Sequence, residues 1–159
     1  MQAAHWAQAL QDSGFAAAIR GGAYLYPFVN VLHVLAVGLI VGAILAFDFR
    51  VLGFVQAVPA DAASRLLTPF AVAGLLIAIF SGFALFAADA VSLSQNRLMW
   101  AKLALVAAGI ANALLFRKLW NEHLNDWERR QAPLAKAQAM LSILIWLTVP
   151  SLGRLIAYL

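Results

Sequence analysis

The sequence predicts an all-α fold, a four-transmembrane-helix bundle preceded by an N-terminal amphipathic surface helix, and three observations carry that prediction. Hydrophobic residues make up 64% and charged residues 11% of the 159 residues, against about 45–50% and about 25% in an ordinary water-soluble domain. The apolar residues fall into four runs, each too long for a strand and close to the roughly 20 residues that cross a bilayer core. The charges collect at the ends of those runs. A mean hydropathy of +0.85 excludes an intrinsically disordered chain, which would be poor in the aliphatic and aromatic residues that dominate here.

The surface helix is expected over residues 3–19, where Trp6, Ala7, Leu10 and Phe15 are interleaved with His5, Gln8, Gln11 and Asp12. That mixture suits a helix lying in the membrane interface. Residues Met1 to Ile19 lack a basic segment followed by an apolar core, so the first span is expected to act as its own insertion signal. Gly21 to Phe47 carries no fixed charge and gives the first span, about 27–47. The second, about 66–88, has Pro69 where a first helical turn tolerates proline. The third, about 98–116, holds a single charge, Lys102, near enough to its start for the amine to reach the headgroups. Its helix is expected to continue past Arg117 and Lys118, because Trp120, Leu124 and Trp127 recur at helical spacing and Asp126 and Arg130 form an i,i+4 pair, until Pro133 stops it. The fourth runs over about 137–159 and includes Arg154. One integral membrane domain accounts for the whole chain.

Of the eleven Lys and Arg residues, Arg50, Arg65, Arg117, Lys118, Arg129, Arg130 and Lys136 lie in the two long connections, and Arg20, Arg97, Lys102 and Arg154 on the other side. By the positive-inside rule the connections face the cytoplasm and both termini the periplasm of a bacterial inner membrane. Tyr24, Tyr26, Trp100 and Tyr158 on one side, and Phe47, Phe49, Trp120 and Trp127 on the other, read as interfacial aromatic belts. A net charge of +4 from scattered basic residues forms no stripe for nucleic acid. The absence of cysteine removes disulfides, thiolate metal sites and cysteine nucleophiles. Gly38 and Gly42, then Gly74, Ala78 and Gly82, then Ala104, Ala108 and Asn112 have the spacing that lets helices approach closely in lipid, within one chain, in a homo-oligomer or in a larger membrane complex.

Polar groups in hydrocarbon are costly, so those present are the candidates for function. Counting 1.5 Å per residue from the outer ends, Asn30, His33, Ser81, Lys102, Ser151 and Arg154 form one polar layer in the outer half of the bundle, a ligand-binding candidate. No catalytic constellation accompanies it: Ser81 and Ser151 have only His33 as a local base, and no carboxylate is placed to orient it. The leading expectation is a non-enzymatic accessory subunit or small-ligand binder. The alternative is an electron-transfer protein holding haem b, with His33 as an axial ligand and Lys102, Trp100 and Arg154 meeting the propionates. His5 and His123 do not match the depth of His33, so that alternative has one axial ligand, and no other metal site is expected. At the inner surface Asp48 and Arg50 stand two apart and cannot face one another on a helix. With Asn112 they are expected to serve structure, engaging neighbouring helices or loop groups such as Arg117.

The stretch Tyr26-Pro27-Phe28-Val29-Asn30-Val31-Leu32-His33, then Gly38, Gly42 and the ending Asp48-Phe49-Arg50-Val51-Leu52-Gly53, resembles a family of small uncharacterised bacterial inner-membrane proteins. Ser81-Gly82-Phe83, Leu85-Phe86-Ala87, Lys102-Leu103 and Asn112 resemble the same family, so the likeness covers spans one to three. In layout the chain is more distantly similar to copper-resistance D-type proteins and b-type membrane cytochromes. The resemblance implies a four-helix topology and marks His33, Asp48, Arg50 and Lys102, without a reaction. Members of that family often carry histidine near the end of span three, where this chain has Arg117.

Overall fold

The computed structural model describes residues 2–54, 56–130, 132–156 and 158, with the side chains of residues 2–4 and 130 left aside. Among them the chain is a helical bundle in the order α1 (Gln2–Gln11), α2 (Gly14–Gly21), α3 (Leu25–Leu52), α4 (Ala60–Ala88), α5 (Ala90–Gln95), α6 (Arg97–Trp120), a 3-10 helix (Asn121–Asp126), α7 (Trp127–Arg130) and α8 (Pro133–Ile156). Four of these, α3, α4, α8 and α6 with its continuation, are long and apolar enough to cross a membrane. Their outward faces are apolar: only 6% of the most apolar window of α6 is buried inside the protein, and Leu114, Leu115 and Leu119 are exposed. Such a surface is stable against lipid and not against water.

Each helix runs past its apolar stretch. Helix α4 begins at Ala60, so Pro69 lies inside it rather than in its first turn. Pro133, expected to end the third helix, instead opens α8, a position where the missing N–H is no loss. The third helix ends at Trp120 because the chain tightens into the 3-10 turn. The expected surface helix is two helices, broken where Ser13 accepts a hydrogen bond from Ala16 N at 3.2 Å and caps α2. The Arg130 side chain of the expected Asp126/Arg130 pair, and residues 157 and 159 of the fourth span, lie outside the described residues.

Helix α3 is central, packed most extensively on α4 and also on α8, while α6 joins the bundle through α8. The α3–α4 contact uses the small face of α4: a Cβ at Gly74 would stand 3.0 Å from Ala36 O, and one at Gly82 3.0 Å from His33 Cε1. Gly109 does the same for α6, lying against Trp146 of α8. Gly38 and Gly42 meet nothing within 4 Å, and Ala104 and Ala108 are exposed, so those two small faces are not used within the chain.

At the end carrying α1, α2 and α5, here the terminal end, Trp6 stacks on Phe86 and Phe15 on Phe83. Arg20 donates to Ala88 O at 2.9 Å, serving the last carbonyls of α4. At the loop end Gly53 adopts the left-handed conformation with φ of +99° and closes α3. There Val51, Ala60, Phe116, Leu124, Trp127, Ala135 and Ala139 form a buried cluster. Trp127 is therefore a core residue and not an interfacial one, with its indole N–H donating to Val51 O at 3.2 Å. Helical turns continue from Trp120 through the 3-10 helix and α7, and it is Leu124 and Trp127 of this continuation that enter the buried cluster. Arg50, buried, donates to Val58 O and pairs with Glu128 across this corner.

Candidate functional site

Two polar regions lie inside the bundle. In the terminal half, His33 Nδ1 is 3.0 Å from Ser81 Oγ, and that hydroxyl also lies 2.6 Å from Ile77 O. His33 and Ser81 thus share one hydrogen bond between α3 and α4, in which the tautomer of His33 sets the donor. Lys102 is within electrostatic range of His33, its amine lying 3.3 Å from where a Cβ on Gly153 would be. The other members of the expected layer are not brought in. Asn30 is on the outer face of α3 beside Pro27, Val31 and Val34. Ser151 is exposed and bonded to Leu147 O, and Arg154 is exposed, with its guanidinium 4.8 Å over the Tyr158 ring. Nor is a second histidine at the α3–α4 contact: His5 is exposed on α1, and His123 lies against Trp120 at the loop end. Among the described residues no three His, Cys, Asp or Glu side chains are grouped as a metal site.

The second region is a cavity of about 200 Å³ in the loop half, walled by α3, α4, α6, α8 and the 3-10 helix. It exists because α4 and α6 do not close on each other, each being held by a different neighbour. Its walls are mainly apolar, with Ile40, Leu67, Ala71, Leu75 and Ile110 among them. Its polar groups are Asp48, Ser64, Thr68, Asn112, Gln138 and Ser142, with Arg117 and Asn121 towards the loops. Gln138 is anchored by Trp120 Nε1 at 2.7 Å, and its carbonyl by Asn112 Nδ2 at 3.1 Å. Two buried atoms are left over: Asp48 Oδ2, an acceptor, and Trp146 Nε1, a donor. Asp48 is 5% and Trp146 4% exposed, so neither atom is satisfied by bulk water, and burying a polar atom without a partner is costly.

Sequence reasoning had Asp48 and Asn112 as structural groups, and the fold places both on this cavity, with Ser142 beside Asp48. Arg50 is separate from them, engaged with Val58 and Glu128. The missed residues are Ser64, Thr68, Gln138 and Trp146. For Ser64, Thr68 and Gln138 the signal was present as polar side chains near the loop ends of the second and fourth runs, whereas Trp146 lies in the middle of the fourth.

The sequence model of a family of unknown function, DUF6644, matches residues 4–159. The chain belongs to that family. Its membership agrees with the uncharacterised family expected from the sequence, and the family extends over all four helices as well as α1. No curated protein and no solved structure matches the chain.

Proposed function

We propose that this DUF6644 protein is a non-enzymatic integral membrane protein that binds a small amphipathic molecule in the loop-half cavity, alone or as an accessory subunit of a membrane complex. The observation that carries the reading is the pairing of a mainly apolar chamber with the nine-tenths buried Asp48, one carboxyl oxygen of which has no hydrogen-bond partner. A chamber of that size takes a ring and a short chain, given that an apolar cavity of about 150 Å³ accommodates benzene. Binding sites in membrane bundles are built this way, from apolar walls with a few placed polar groups.

The test is thermal unfolding in mild detergent with three matched probes, 4-phenylbutylamine, 4-phenylbutanol and 4-phenylbutanoate. At least one should raise the midpoint saturably, by roughly 5–10 °C at a hundredfold excess over Kd. Ala71→Phe, which fills the chamber from α4, should remove that shift while keeping its helical circular dichroism. A wild-type protein that responds to each probe no more than Ala71→Phe does would sink the reading.

The same reading places the cavity on the cytoplasmic side of a bacterial inner membrane, supported by the seven-to-four distribution of Lys and Arg. Because the chain has no cysteine, single replacements report orientation directly. An impermeant maleimide applied to spheroplasts should label Gln95→Cys, and should label Gln56→Cys only after lysis. The opposite pattern reverses the orientation.

A further inference from the structure

The chemistry around Asp48 says which kind of molecule the chamber prefers. The Asp48 carboxylate makes no ion pair: the salt bridges among the described residues are Arg50 with Glu128 and Arg65 with Asp61. Its helix neighbour Arg50 points to Val58 and Glu128, and Arg117, the one cation on the cavity wall, is exposed rather than desolvated with Asp48. The one buried acid of the chamber is therefore without a counter-ion. Phe47, Phe116 and Trp146 supply aromatic surfaces in the same wall, and an aromatic face attracts a desolvated cation. A buried carboxyl without a counter-ion, set beside aromatic faces, forms a receptor for an ammonium group.

Resting on the cavity reading above, we infer that the ligand class is a lipophilic amine, bound as the ammonium with its nitrogen on Asp48 and its apolar body among Ile40, Leu67, Ala71 and Leu75. Val72 of α4 and Leu114 of α6 line the chamber and are also exposed on the outer surface, which gives an amphipathic amine entry between those helices from the bilayer. The indole N–H of Trp146 is the remaining unsatisfied donor, so an amine that also carries an acceptor oxygen complements the chamber more fully than a simple one.

The three probes share a body and differ in head group, so their order isolates the charge preference. For the wild-type protein, 4-phenylbutylamine should bind about tenfold or more tighter than 4-phenylbutanol, with 4-phenylbutanoate weakest, since charge-assisted hydrogen bonds exceed neutral ones. In Asp48→Asn, which keeps shape and removes charge, the amine and alcohol should bind alike. An alcohol or carboxylate that equals or exceeds the amine overturns this inference and leaves the cavity reading in place. An amine preference that survives Asp48→Asn overturns it as well, because the nitrogen then sits elsewhere. Failure of all three probes removes both. If Asp48→Asn does not fold, the order on the wild-type protein decides alone.

Discussion

Gly74→Leu should prevent stable assembly of the bundle, whereas Gly38→Leu, in the same kind of small-residue pattern, should leave it intact. At Gly74 a Cβ alone would lie 2.9 Å from Ile40 Cγ1, 3.0 Å from Ala36 O and 3.2 Å from Ile40 N. The first could swing aside, but the other two are backbone of α3, so relief requires the two helices to separate. Overpacking of this kind costs about 1–3 kcal/mol for a methyl-sized intrusion and more for a larger one. The penalty falls on the most extensive helix contact of the molecule. At Gly38 nothing lies within 4 Å, and a leucine there gains up to about 1 kcal/mol of helix propensity while facing lipid. Midpoints of unfolding in mixed micelles, read for both variants and for Gly74→Ala, check the contrast. A Gly38→Leu protein less stable than Gly74→Leu would mean that α3 meets another chain through the face this bundle leaves open.

The second large effect is expected at Arg50, where removal should cost more than removal of its own partner. Arg50 is 3% exposed, its Nε serves Val58 O and its Nη2 serves Glu128. Arg50→Ala leaves that carbonyl without its donor and a gap under the loop-end cluster, for a loss of about 3 kcal/mol. Glu128, with a side chain 55% exposed, returns to water when Arg50 is gone. Glu128→Ala instead leaves a buried guanidinium whose Nη1 already has no partner. Deleting one member of a buried pair costs about 3–5 kcal/mol, but half of this pair is solvated, and about 1–2 kcal/mol is expected. A double-mutant cycle on unfolding free energy separates the two. An Arg50→Ala protein within about 0.5 kcal/mol of the wild type would show that the corner is held by apolar packing around Trp127 alone.

The four spans and the all-α class were legible because they depend on local quantities. Twenty or so apolar residues must be helical in hydrocarbon, where each backbone group needs an internal partner. The helix ends were less legible for the same reason. The apolar run records the thickness of the bilayer, while the helix continues into the headgroup region until something stops it. The α4 start at Ala60 and the passage of Pro69 into its interior follow. Trp127 was misplaced because helical spacing was extended across a 3-10 turn, which rotates the residues after it.

For the polar groups, sequence fixes one coordinate out of two. The rise of 1.5 Å per residue sets how far along its helix a side chain lies, which is the basis for grouping Asn30, His33, Ser81, Lys102, Ser151 and Arg154. Which way each faces is set by the packing of the helices, with every residue turned about 100° from the last. His33 and Ser81 were brought together by the small face around Gly82, while Asn30 and Ser151 face out. Asp48, Asn112, Ser142 and Trp146 meet around one cavity because α3 and α8 hold α4 and α6 apart. The sequence by itself determined the solvent, the number of crossings and the depth of each polar group, since those follow from local hydrophobicity and helix geometry. Only the tertiary structure decided which polar groups share a chamber, because facing is a property of helix pairs and not of any one helix.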